Sequence, residues 1–499
     1  MEKNKTVLNA ISGITNKFIT IFFLIFVRYF FVRNLDNDLL GLEGLFLNVF
    51  GVFSILEVGF GTAISFSLFK PIHDNNSREL GAIMKLYKRI YCIIGVIIFF
   101  VSFFVAPFIG YIIKNNNIAN DKLFLYFMIY SISVVSSYFF ANKRTLLFAI
   151  KKNYISLNVD TIIKIIVSIL QIYVIVKYHN YLLYLFILTI GVIISNIAIS
   201  IFADLEKAYN KKEKYRLSKE YLNEIKSGIG RIIINNLSWV GINSTDNLII
   251  SSTVGSMGLA KNTNYSSISN SLTGIVINMF VGENASVGDL LSGNDSYKKK
   301  KYFECFSLIY DLMAGYSAIG FFFISKLFIE LWVGSSFLFS EDIIAIISII
   351  IYLKLSFEPL ATFQNYSGLY RKYTPFAIMA VLINILFSVV ISIKFGIIGV
   401  YIGTAITYLF MQCAIILILH RNLFNCLKAF LFRFLNMIII IISCIAISIL
   451  DINFDNIFLS LVYKIVTVTI IYWSLILLIF GRSNSFVEIK NYIIKKRGK

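Results

Sequence analysis

The stretch Asn9–Phe31, NAISGITNKFITIFFLIFVRYFF, decides the fold class of this chain. At about 1.5 Å per residue, a helix of that length crosses the hydrocarbon core of a bilayer. Yet it carries two cations, Lys17 and Arg28, 11 residues apart. That separation is about 1100° of helix, so the two sit roughly 20° from eclipsed on one face. Charge at the bilayer centre costs at least about 2.5 kcal/mol per residue, so such a face is expected to look into water or protein. The remaining helices are read as walls around that wet space.

Outward from this helix, apolar runs recur along all 499 residues; the chain is 58% hydrophobic with mean hydropathy +0.78. This is the pattern of an all-α polytopic membrane protein, not of a soluble domain with an anchor. Four prolines and one long hydrophilic stretch leave no room for a separate soluble domain. MEKNKTVLNA leads into a charged span without a small-residue cleavage site, so no removable signal peptide is expected. The formal net charge of +19 would suggest nucleic acid in a soluble protein. Here the cations fall mostly in loops, where membrane orientation accounts for them and no nucleic-acid partner is expected. The five cysteines and three histidines are scattered and give no spacing for a metal, a cofactor or a disulfide framework.

Fourteen spans are expected, near 9–32, 40–68, 89–113, 122–148, 155–177, 181–204, 229–252, 261–285, 302–328, 341–364, 375–394, 396–419, 429–450 and 456–480. With the N-terminus taken as cytoplasmic, inside segments hold 34 cations and outside ends hold 7. That bias places both termini in the cytoplasm and requires an even number of spans. The longest hydrophilic loop divides an N-lobe, 1–204, from a C-lobe, 229–420, through a basic cytoplasmic linker at 205–228. Two further spans occupy 421–481, and a basic cytoplasmic tail follows at 482–499. Spans 1–2 and 7–8 are alike in being polar and glycine-spaced, so two pseudo-symmetric six-helix lobes are expected, with the site between them.

Four stretches carry a family resemblance: LLGLEGLFLNVFGVFSILEVGFGTAISFSLFKPI at 39–72, NKRTLLFAIKKNYI at 142–155, NSTDNLIISSTVG at 243–255 and KFGIIGVYIGTAITYLF at 394–410. The chain resembles the polysaccharide-unit flippases of Gram-positive bacteria, within the multidrug/oligosaccharidyl-lipid/polysaccharide (MOP) exporter superfamily. AIKKN at 149–153 departs from the more acidic, glutamine-bearing version usual in relatives. The resemblance implies a V-shaped, MATE-like fold with alternating access and no enzymatic activity. The implied cargo is an undecaprenyl-diphosphate-linked oligosaccharide, moved from the inner to the outer leaflet for capsule-type polysaccharide. The bilayer and a polysaccharide polymerase are the implied partners. Lipid II flipping and cation-coupled drug export within the superfamily are the alternatives. A membrane glycosyltransferase or polymerase fits less well, because the outside loops are short.

A diphosphate needs cations in a low-dielectric setting, and Lys17 and Arg28 are the first candidates. Glu43 and Glu57 share a face of span 2 at depths suiting Arg28 and Lys17, so structural pairing is the competing reading. Span 5 places Asp160, Lys164 and Gln171 on one face, with Asp160 and Lys164 as an i,i+4 pair. Lys354 and Glu358 repeat that spacing in span 10, ahead of the kinking Pro359. For sugars, span 7 offers Asn235, Asn243 and Asp246. Span 8 adds Asn270 beside a stripe of Asn262, Ser266, Ser269 and Thr273; interhelical hydrogen bonding is the plainer account, but the polar density exceeds what packing usually needs, so a wet cavity is expected. The orientation has a direct check: a reporter fused after Lys499 is expected to be active only on the cytoplasmic side, and activity outside would overturn the span parity.

Overall fold

Backbone polar groups in hydrocarbon must be satisfied within their own segment, which a helix does and a lone strand cannot. In the computed structural model all regular structure among the described residues is helical. The structure describes residues 2–36, 38–47, 49–51, 67–68, 71–72, 74, 76–112, 118–206, 208, 245–280, 287–288, 290–291, 293, 295–424, 427–450, 452 and 454–481.

Twelve long helices correspond to twelve of the expected spans. They are α1 (Glu2–Asn34), α2 (Ser77–Val105), α3 (Asn120–Ala149), α4 (Asn153–Tyr178), α5 (Tyr181–Leu205) and α6 (Ser256–Phe280), followed by α7 (Ser296–Val333), α8 (Glu341–Tyr366), α9 (Tyr370–Phe395), α10 (Ile397–Asn422), α11 (Leu427–Ile449) and α12 (Ile457–Phe480). Ten of these are long and apolar enough to cross a membrane; α6, rich in serine and asparagine, and α11 are the other two. Expected spans 2 and 7 are helical where described, at 38–47, 49–51 and 67–68 and at 245–253. Their remainders, most of the linker and the tail lie outside the described residues.

The chain divides into two compact units, Met1–Ala260 and Lys261–Lys499. In the first, α1 runs parallel to α4. Near its start, the Asn9 side chain donates to Lys151 O (3.1 Å) and accepts from Tyr154 N (2.7 Å). Asn16 Nδ2 bonds Thr161 Oγ1 at 2.9 Å, and at the far end His179 Nδ1 lies 3.1 Å from Asn34 O. His179 closes α4 in the left-handed region (φ 47°), and Asn180 then caps α5, so two residues reverse the chain. Gly41 is needed for close approach: a Cβ there would stand 2.4 Å from Ser256 O. Ser256 Oγ is tied to Asp38 Oδ1 at 2.6 Å.

In the second unit α7 is the hub, packing against α8, α11 and α12. An apolar seam of Leu308, Leu312, Ile319 and Phe323 on α7 receives Ile439, Ile447, Val468 and Ile476 of the C-terminal helix pair. A fully buried polar node crosses this seam. Arg433 of α11 bonds Asp311 of α7 at 3.2 Å, Gln412 Oε1 of α10 at 3.3 Å and Ser356 O of α8 at 2.5 Å. Asn436 donates to Asp311 O, and Tyr472 OH of α12 donates to Leu312 O. Gly315 makes room for that hydroxyl: a Cβ would stand 2.2 Å from it. Pro359 lies inside α8, which runs on through it, and carbonyls in the preceding turns take side-chain donors from Gln412 and Arg433.

Neither Arg433 nor Asp311 was singled out from sequence; Arg433 was counted with the cytoplasmic cations. Removing one partner of a buried pair strands the other, at about 3–5 kcal/mol, whereas replacing both with apolar residues is often nearly neutral. Arg433→Met or Asp311→Leu alone is therefore expected to lower the melting temperature of purified protein sharply. The double replacement is expected to recover most of the loss. A double variant as unstable as the sum of the singles would contradict this reading.

Candidate functional site

Arg28 lies in the last two turns of α1, and Glu43 faces it from the helical stretch at 38–47. Arg28 Nη1 meets Glu43 Oε2 at 3.3 Å, with both side chains largely buried. Tyr184 OH of α5 donates to the other carboxylate oxygen at 3.0 Å. Around them stand rings. Tyr181 and Tyr184 stack at 5.7 Å, Tyr126 meets Tyr181 edge-on at 4.9 Å, and Phe31 meets Tyr184 at 5.4 Å. Among the described residues Arg28 uses one nitrogen of a guanidinium that has five N–H donors. Unused donors in an apolar, aromatic setting are what an oxyanion requires.

Lys164 of α4 is half-buried, close enough to Glu43 for its charge to act on the ammonium, and bonded to no described residue. Lys17 is half-buried as well and likewise bonds no described residue. The exposed apolar stripe of α1 runs through Ile11, Ile14, Phe18, Phe22 and Phe26. By helical periodicity the two cations sit on its flank, roughly 100° round from that stripe. Glu57, the partner expected for Lys17, lies outside the described residues, as do Asn235 and Asn243.

Asp160 does not take Lys164 as its partner. Arg144 of α3 grips both carboxylate oxygens, Nη1 to Oδ2 at 2.6 Å and Nη2 to Oδ1 at 2.8 Å, and Ser195 Oγ donates to Oδ1 at 2.6 Å. The same guanidinium reaches Asn196 Oδ1 at 3.2 and 3.3 Å. The reason is geometric: a planar fork spans two oxygens, whereas an ammonium one turn away meets only one. Beside it Lys143 pairs with Asp204, and Lys152 pairs with Glu206.

Gln171 is buried on α4, and its Nε2 has no partner among the described residues. Asp246 is half-buried in the 245–253 helix. In the second unit Lys354 Nζ donates to the exposed Asn270 at 3.2 Å, and the half-buried Glu358 acts on the same ammonium from one turn further on. The neighbouring stripe of α6 turns inward: Asn262 is buried against Tyr401 and Ser266, and Thr273 bonds its own helix. Within that stripe the bond from Tyr401 to Asn262 is interhelical, while those of Ser266 and Thr273 stay within α6. Sequence reasoning missed Tyr184 and Tyr181, whose one-turn spacing at the start of α5 was the available signal. It also missed the role of Arg144, which lies in the stretch 142–155.

No protein-family model matches this chain, and no curated protein matches it. Solved structures do. Lipid II flippase MurJ in an inward closed conformation superposes with a TM-score of 0.73, at 14% identity, covering 95% of this chain and 99% of that one. An inward-facing multidrug resistance MATE family transporter of the MOP superfamily gives 0.63 at 14% identity, covering 86% and 98%. A MOP superfamily transporter from Pyrococcus furiosus, described as having a binding pocket of reverse polarity, gives 0.57 at 14% identity, covering 88% and 96%. The chain shares their all-helical transporter fold.

The Asp160 partnership predicts an asymmetry. Asp160→Asn is expected to lower the melting temperature, while Lys164→Gln stays within about 0.5 kcal/mol of wild type. Equal losses in the two variants would restore the Asp160–Lys164 pair.

Proposed function

We propose that this chain is a MOP-superfamily flippase that moves an undecaprenyl-diphosphate-linked oligosaccharide across the cytoplasmic membrane by alternating access, for assembly of a surface polysaccharide. The observation that carries the reading is the Arg28–Glu43–Tyr184 arrangement: a buried guanidinium with one carboxylate partner and donors to spare. An arriving diphosphate takes the guanidinium from Glu43, and Glu43 keeps the hydroxyl of Tyr184. Lys164 and Lys17 supply further positive charge along the diphosphate's path. Asp246 and Gln171 of the first unit offer acceptors and donors to sugar hydroxyls, together with Asn235 and Asn243. When cargo is absent, Glu43 holds Arg28, Glu57 is the partner for Lys17, and Glu358 is the partner for Lys354. The polyprenyl tail stays in lipid, and no bond of the cargo is made or broken. Lys3 and Lys5 at the start of α1, Arg78, Lys85 and Lys88 at the start of α2, and Lys143, Arg144, Lys151 and Lys152 around the end of α3 and the start of α4 share one end, so we place that end, and both termini, in the cytoplasm. A polysaccharide polymerase then consumes the product outside.

Lipid II is a second cargo with the same diphosphate chemistry, and the fold shared with MurJ favours keeping it in view. Arg28→Ala and Lys17→Ala are each expected to stop export of surface glycan at unchanged protein level, with Arg28→Lys retaining part of it. Normal export in both alanine variants would remove the diphosphate role. Rescue of cells that lack lipid II flipping by this chain would assign the second cargo.

A further inference from the structure

In the first unit a groove of about 360 Å³ opens between α2 and α3. Val96 and Phe100 of α2 and Ile132 and Phe139 of α3 form its walls, all four exposed, over a floor that includes the buried Val135 and Ser136. Ser136 offers no free donor, because its hydroxyl bonds Ser133 O of its own helix at 2.7 Å. Gly95 lets the two helices close up beside the groove: a Cβ there would stand 3.0 Å from Phe139 Cε1. An α-helix with its side chains is about 10 Å across and does not enter such a space. A sugar or a free ion would lose its hydration there and gain no polar partner. A single hydrocarbon chain fits. Lipid surrounds the helices on every side, so the walls alone give no preference for one chain over another. Selection has to come from the head of the lipid.

Arg89 supplies that selection. It is exposed on α2 and bonded to no described residue. It comes seven residues before Val96 and eleven before Phe100, about 700° and 1100° of helix, so each lies roughly 20° from the line through Arg89. Ile93, between them, is exposed on the same side. From residue 90 to residue 113 the sequence holds no charge. At about 1.5 Å per residue that run is one crossing of the hydrocarbon, so Arg89 stands at its boundary, where phosphates lie. The distance along α2 from Arg89 to Val96 is about 10 Å, a span that the glycerol and first methylenes of a lipid bridge.

We propose that this groove holds one acyl chain of an anionic phospholipid whose phosphate sits on Arg89. The guanidinium forks onto two phosphate oxygens, and the chain runs past Val96 to lie between Phe100 and Phe139. The site is separate from Arg28 and does not rest on the transport reading.

The test places the full-length chain in phosphatidylcholine nanodiscs doped with a lipid that carries a photoreactive diazirine midway along one acyl chain. The doped lipid is phosphatidylglycerol in one arm and phosphatidylcholine in the other, and mass spectrometry locates the adducts. Phosphatidylglycerol is expected to label the groove residues about fivefold more than phosphatidylcholine, the preference that one basic residue near a membrane surface gives. Arg89→Gln is expected to remove most of that preference and Arg89→Lys to keep it. Val96→Trp fills the groove, and is expected to lower labelling there while labelling of the exposed face of α12 stays unchanged. Both positions are exposed, so the variants are expected to melt with wild type and the comparison stays interpretable. Equal labelling by the two lipids, a preference that survives Arg89→Gln, or undiminished labelling in Val96→Trp would each overturn the site. So would displacement of the label by undecaprenyl phosphate but not by unlabelled phosphatidylglycerol, which would make the groove a slot for a polyprenyl tail.

Discussion

A charge inside a membrane protein has to find a partner, and the pairing organises both units. Three arginines do most of it. Arg28 ties α1 to the stretch at 38–47, Arg144 ties α3 to α4 and α5, and Arg433 ties α11 to α7, α8 and α10. The Arg433–Asp311 bond joins residues 122 apart in the chain, and the Arg144 node reaches across three helices. Each also sits where aliphatic packing alone would leave rotation and sliding of the helices weakly specified. Lipid supplies no hydrophobic drive between helices, so polar contacts and close approach set their register.

The three nodes differ in how completely they are satisfied. Arg433 has acceptors on three other helices and a carboxylate that is itself enclosed, which suits a fastening that stays shut. Arg144 holds its carboxylate with both arms and sits partly open to solvent. Arg28 has the poorest match, one contact at 3.3 Å to a carboxylate shared with a tyrosine. A pair that is buried yet under-bonded exchanges its partner for a better one at little loss, and a diphosphate offers more oxygens than Glu43 does. That contrast is why the proposed cargo site is placed at Arg28 and not at the better-bonded arginines.

Helical periodicity made much of this legible. Lys17 and Arg28 share a face of α1, and the depth of Glu43 indicated Arg28 as its partner. Twelve helices fall on twelve expected spans, because a long apolar run in lipid has one backbone solution. Periodicity gives the face of a residue but not the neighbour it meets. Asp160 therefore looked bound to Lys164 one turn away, when Arg144 on another helix has the better geometry. The same limit hid Arg433 from Asp311, which are 122 residues apart. It also let the α6 stripe at Asn262 pass for a wet surface, when Tyr401 covers it. Asp311, an acid in the middle of an apolar span, was the readable sign that a partner had to exist.

The central claim is that Glu43 holds Arg28 in reserve for a diphosphate. Affinity of the purified chain for undecaprenyl diphosphate, measured for wild type, Glu43→Gln and Arg28→Gln, addresses it most directly. Release of the guanidinium in Glu43→Gln predicts tighter binding than wild type, and loss of it in Arg28→Gln predicts weaker binding. Unchanged affinity in both variants, or weaker binding in Glu43→Gln, would show that the pair is structural and that the diphosphate is held elsewhere.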